Sequence, residues 1–113
     1  MGDAQPVYTV AERRRDAAAR QRAARDAMLP ALRAYARAHR GRYVLFGSAA
    51  RDTMKPESDL DLVVDFPGTE EGPATTFAEL LGAEHGITVD PRPLWACGEH
   101  LRRRLETEGI IVE

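Results

Sequence analysis

The chain has 113 residues, 43% of them apolar and 30% charged, and a net charge of −2. That suffices for one globular domain with one hydrophobic core, and excludes a disordered tail or a two-domain architecture. No apolar run approaches the ~20 residues of a membrane helix, the N-terminus carries no apolar signal stretch, and the lone Cys97 excludes an internal disulfide, so a cytoplasmic setting is expected.

The charge is unevenly distributed. Residues 1–42 hold ten arginines against four acids, and the remainder holds six basic against fourteen acidic residues. A basic front end can bind nucleic acid. An arginine-rich solvated helix face beside an acidic domain explains the same pattern more simply, and a nucleic-acid partner is not expected.

Residues 1–8 form a loose lead-in containing Pro6. Thr9 and Glu12 have the spacing of a capping box, and the Ala/Arg-rich stretch after them favours helix. Ala17, Ala24, Met28, Leu32 and Tyr35 keep a helical period. Pro30 removes a backbone donor, which predicts a kink or break near Met28 and hence two helical pieces within 9–40. His39, Arg40 and Gly41 supply a basic last turn and a glycine stop.

Tyr43–Phe46 reads as a short buried strand halted by Gly47, with a helical turn over Ser48–Asp52. Leu60–Phe66 is a second strand. A helix opens at Pro73 or Thr76, carries Phe77, Leu80 and Leu81, and ends by Gly86. Ile87–Asp90 is a third strand, cut off by Pro91 and Pro93. Glu99–Glu106 is a last helix, and Ile110–Val112 a terminal strand.

The second strand carries the chemistry. Side chains alternate along it, so Leu60, Leu62, Val64 and Phe66 make a core face while Asp59, Asp61, Val63 and Asp65 share the other. Asp59 and Asp61 lie about 7 Å apart at Cα, within reach of one cation or an ion pair. Asp65, roughly 13 Å beyond Asp61, is too far to join them and reads as a solvated strand-end acid. Two carboxylates so placed repel unless a cation joins them. Magnesium takes one or two carboxylates plus phosphate oxygens, and two ions about 3.5–4 Å apart clamp both ends of a phosphoryl displacement.

Gly47-Ser48 stands where a buried strand turns into a helix, a place with free N–H groups suited to phosphate. A Gly-Ser pair also occurs in ordinary turns, and Ser58 can simply cap the loop before the strand. The pair gains meaning from the acids on the next strand.

These residues resemble the nucleotidyltransferase superfamily with a polymerase-β-type palm, and more closely the minimal nucleotidyltransferases that act as antitoxins to HEPN-domain ribonuclease toxins. The resemblance rests on Gly47-Ser48-Ala49-Ala50-Arg51-Asp52 and Ser58-Asp59-Leu60-Asp61-Leu62. It departs at Asp52, where the family has glycine. The family's third acid falls on Asp90, within Val89-Asp90-Pro91-Arg92, although an Asp-Pro step also starts turns. The resemblance covers about Tyr43 to the C-terminus.

It implies an α+β, two-layer fold: a mixed sheet of about four strands with helices packed on one face and a long N-terminal helical segment. Residues 1–113 are then one minimal domain, with the palm over 43–113. It implies magnesium-dependent transfer of AMP from ATP to a hydroxyl, the acceptor being a tyrosine of a HEPN-type toxin. Asp59, Asp61 and Asp90 would hold magnesium, in two ions. Gly47, Ser48, Arg51 and Ser58 would contact the nucleotide, with Arg51 equally suited to a structural ion pair. About 70 residues follow Tyr43, too few for a second domain to hold a small acceptor, so the acceptor is expected to bring its own surface. The alternatives are a catalytically silent binding antitoxin and a small-molecule or RNA nucleotidyltransferase.

His39, His85 and His100 read as surface or cap residues, and Trp95 as core rather than an exposed patch. Arg102, Arg103 and Arg104 read as a solvated helix face.

Overall fold

A computed structural model describes residues 8–51 and 53–113; the lead-in before Tyr8, and Asp52 with its departure from the family pattern, lie outside the described residues. The elements run α1 (Val10–Ala38), β1 (Arg42–Leu45), a 3-10 turn (Gly47–Ala49), β2 (Leu60–Asp65), α2 (Glu71–Glu84), β3 (Val89–Pro93), α3 (Glu99–Glu108) and β4 (Ile110–Val112). The four strands form one mixed sheet in the order β3-β2-β1-β4, in which only β2 and β3 run parallel.

The capping box opens α1 as its spacing predicts: Glu12 N–H donates to Thr9 Oγ1 and Thr9 N–H to the Glu12 carboxylate. The break predicted near Met28 does not occur, and α1 is one continuous helix of 29 residues through Pro30. The reason is packing on both sides of the proline. Met28, Leu32 and Ala36 are all fully buried on one stripe, while Pro30 faces solvent. Water can then serve the backbone carbonyl that the proline leaves without a donor. The glycine stop is also displaced. Arg40, not Gly41, adopts the left-handed conformation, with φ 61°. Gly41 N–H closes the helix on the Ala36 carbonyl at 3.0 Å, the long bond of a Schellman motif. A Cβ on Gly41 would stand 2.2 Å from the Phe66 ring, so that glycine serves close packing instead.

Leu60, Leu62, Val64 and Phe66 lie in the main core beneath α1 and α2, as the alternation of β2 predicts. On the opposite face Val44, Val63 and Cys97 form a smaller core, covered by Leu101 and Leu105 of α3. One face thus carries two helices, and the other carries one short helix that leaves part of the sheet uncovered. Asp65 is half-buried and paired with its register partner Arg42 at 2.7 Å, rather than free in solvent.

Helix α2 begins at Glu71, before Pro73, which sits in the first turn where a missing N–H costs nothing. Leu80 on this helix is exposed. Strand β3 begins later than predicted and runs through Pro91 to Pro93. It is an edge strand, and prolines are tolerated where the absent donor faces the open side. Trp95 is 73% exposed, against the core position expected of it, and its indole N–H donates to the Glu71 carboxylate. His39 and His85 are the C-cap residues of α1 and α2, and His100 is exposed on α3. Among the described residues no helix is long and apolar enough to cross a membrane.

Candidate active site

The antiparallel pairing of β1 and β2 brings the end of β1 beside the start of β2. Leu45 is paired with Leu62, and Phe46 N–H donates to the Asp61 carbonyl at 3.2 Å. The chain then enters a single 3-10 turn at Gly47, closed by Ala50 N–H on the Gly47 carbonyl. Gly47 has φ +62°, and a Cβ there would lie 2.6 Å from Asp61 Oδ2. Glycine is required on both counts, because L side chains avoid this φ and the space belongs to the aspartate.

The parallel pairing of β2 with β3 places Asp90 directly across from Asp61. The two carboxyls interact. Burial first, and then the Asp90 carboxylate, raise Asp61 above the ordinary aspartate range, with Asp59 adding a smaller push in the same direction. Arg92 opposes them, and it also lies 3.8 Å from Asp90 Oδ2. A pair of partly desolvated carboxylates facing each other stores repulsion that a divalent cation relieves. Asp59 precedes β2 and is exposed, and it does not complete a preformed group of three metal-binding side chains among the described residues. A donor set of two meeting carboxylates with a third nearby suits magnesium, which takes few protein ligands and keeps sites for phosphate and water.

The remaining predicted residues divide. Ser48 is half-buried in the turn beside Gly47. Arg51 is exposed, with its Nε 3.5 Å from the Gly47 carbonyl. The Ser58 hydroxyl accepts from Lys55 N–H at 2.8 Å, so it caps the loop before β2.

Two features escape a reading of the sequence alone. Arg92 lies with its guanidinium 5.9 Å from the Phe46 ring centre. With Phe46, Gly47, Leu101, Arg104 and Glu108 it lines a cavity of about 270 Å³ beside the glycine turn. Its spacing of two from Asp90 on the same strand was the available signal. The second is α1 itself, whose Arg25 reaches the turn and whose Gln21 reaches the loop that precedes the acids.

Residues 28–111 match a family model described as a nucleotidyltransferase domain. A comparison with curated proteins gave no match.

Proposed function

Because this chain belongs to the nucleotidyltransferase domain family, we propose that it transfers AMP from ATP to a hydroxyl of a partner protein, a tyrosine of a HEPN-type toxin, and thereby acts as an antitoxin. The observation that carries the reading is the register pair Asp61 and Asp90, set against Gly47. An acid pair beside a tight glycine turn is the arrangement that nucleotidyl transfer requires: one side for cations and reacting oxygens, the other for phosphates.

Asp61 and Asp90, with Asp59 beside them, would hold magnesium, which supplies charge neutralisation at the attacked phosphorus when bound. The Gly47 backbone and the Ser48 hydroxyl would contact the β- and γ-phosphates, and Arg51 lies one turn away with a cation for the same end. Asp90 would accept the proton of the incoming hydroxyl. Attack on the α-phosphorus forms the new P–O bond and breaks the bond to pyrophosphate, which leaves.

Support for a macromolecular acceptor comes from exposure. The side chains of Asp90 and Arg92 are 44% and 53% accessible, so the acid pair opens on a surface. Such a site suits an acceptor that brings its own wall. The test is incubation with ATP, magnesium and a HEPN-type toxin, followed by peptide mass spectrometry. An AMP adduct on a toxin tyrosine supports the reading. Neutralisation of the toxin with no adduct contradicts it in favour of occlusion, and adenylation of an RNA or a small molecule in its place redirects it to another acceptor.

A further inference from the structure

Gln21 and Arg25 stand one helical turn apart on α1 and so share a face. Gln21 Nε2 donates to the Pro56 carbonyl at 2.9 Å and to the Ser58 carbonyl at 3.2 Å. Arg25 Nη1 donates to the Ala49 carbonyl at 3.1 Å, and its side chain is only 11% accessible. These acceptors have no sequence relation to α1 but a clear relation to the site. Ala49 ends the Gly47–Ala49 turn, and Ser58 immediately precedes Asp59. The end of the turn at Ala49 and the chain just before Asp59 are therefore both held by one helix face.

We infer that Gln21 and Arg25 are positioning residues for the transfer reaction: a two-point staple that sets the distance between the phosphate-binding turn and the metal-binding acids. A loop that must order two separate groups on one substrate loses rate steeply when either group drifts, with displacements near 1 Å costing about 10²-fold. The turn and the acids approach through a β1–β2 ladder of four residue pairs, and the ladder holds neither Ala49 nor Asp59 itself. The staple supplies what the ladder does not. Both residues lie before residue 28, where the family match begins, so the device belongs to the part of α1 outside the matched region. It also gives the arginine-rich segment a role beyond a solvated face. Arg14 makes a further contact to Glu57, but that pair is exposed at 56% and 62% and is expected to add little.

The inference rests on the nucleotidyl-transfer reading for its kinetic part and stands apart from it for its structural part. Gln21→Glu keeps the shape and replaces the amide donor with a carboxylate facing two carbonyl oxygens. Arg25→Ala removes the other point, Arg25→Lys restores a donor there, and Arg14→Ala serves as the exposed control. Hydrogen exchange on the nucleotide-free full chain is expected to show faster amide exchange over residues 53–59 in Gln21→Glu and over 47–51 in Arg25→Ala. Circular dichroism and the exchange of β1 and β2 should stay as in the parent protein. In steady-state transfer, Arg25→Ala is expected to raise KM for ATP about tenfold, with Arg25→Lys recovering part of it, while Gln21→Glu lowers kcat by roughly 10- to 100-fold. Arg14→Ala is expected to match the parent within twofold. Unchanged loop exchange in Gln21→Glu or Arg25→Ala overturns the staple, as does equal loss in Arg25→Lys and Arg25→Ala. Should Gln21→Glu fail to fold, Gln21→Ala takes its place with the same readouts. A parent protein that shows no transfer to any acceptor counts against the proposed function, while loop exchange still decides the staple.

Discussion

Gly47 and Asp61 compete for one space: a Cβ built on Gly47 would stand 2.6 Å from Asp61 Oδ2, at a backbone φ of +62°. The turn proposed to face phosphate and the acid proposed to face the cation are therefore packed against each other directly. Gly47→Ala is predicted to cost about 1–2 kcal/mol in stability from the left-handed backbone alone. Displacement of Asp61 should lower transfer by about 10²-fold besides. Urea denaturation and initial rates measure the two effects separately, and a variant with full activity would show that the contact has no bearing on the site.

Asp61 allows a prediction whose direction changes with the cation. Its carboxyl is held above the ordinary range by burial and by Asp90. The folded protein thus holds that proton more tightly than the unfolded chain, and metal-free stability falls as pH rises from the unfolded value, near ~4, through the raised folded one. Asp61→Asn removes this loss. The metal-free variant should melt above the parent protein at neutral pH, with the difference closing below about pH 4. Magnesium should stabilise the parent and leave the variant unmoved. Transfer by the variant should fall by roughly 10³-fold, the equivalent of about 4 kcal/mol in the barrier.

Arg40 ends α1 in a left-handed conformation at φ 61°. Glycine adopts that conformation without the Cβ clash, so Arg40→Gly is predicted to stabilise the protein by about 1 kcal/mol, seen as a higher melting temperature. No change, or a loss, would mean that the Arg40 side chain contributes more than its backbone costs.

Gly82 of α2 packs against β3, where a Cβ would meet Val89 Cγ2 at 2.5 Å and the Ile87 carbonyl at 2.7 Å. The backbone oxygen cannot turn aside as a flexible side chain can. Gly82→Ala is predicted to lose about 1–3 kcal/mol from overpacking. Because the strand it pushes carries Asp90, activity should fall further than the loss of folded protein explains. Chemical denaturation paired with rates at fixed folded fraction checks this.

The parts of the fold that the sequence discloses are those with local causes. Thr9 and Glu12 form their capping box from spacing alone, and the alternation from Leu60 to Phe66 sorts core from site because the strand period is two. The facing of Asp61 and Asp90 is different in kind. It depends on which strand pairs with which, and in what register, across 28 residues of intervening chain; the sequence joins Asp90 to the other acids only through a family resemblance. The prolines of β3 mislead for the same reason, since their harmlessness follows from an edge position that topology decides. Pro30 misleads because flanking burial of Met28 and Leu32 outweighs one missing hydrogen bond. The staple of Gln21 and Arg25 could not be read at all, because its acceptors are backbone carbonyls, which every residue carries.

The most direct test of nucleotidyl transfer at Asp61, Asp90 and Gly47 compares two labels on one substrate. ATP labelled at the α-phosphorus, and ATP labelled at the γ-phosphorus, are each incubated with magnesium, a HEPN-type toxin as the proposed acceptor, and either the parent protein or Asp61→Asn. Label from the α-position should appear on the acceptor with the parent protein, none from the γ-position, and none from either with the variant. Label arriving from the γ-position, or arriving equally with Asp61→Asn, would contradict the assignment.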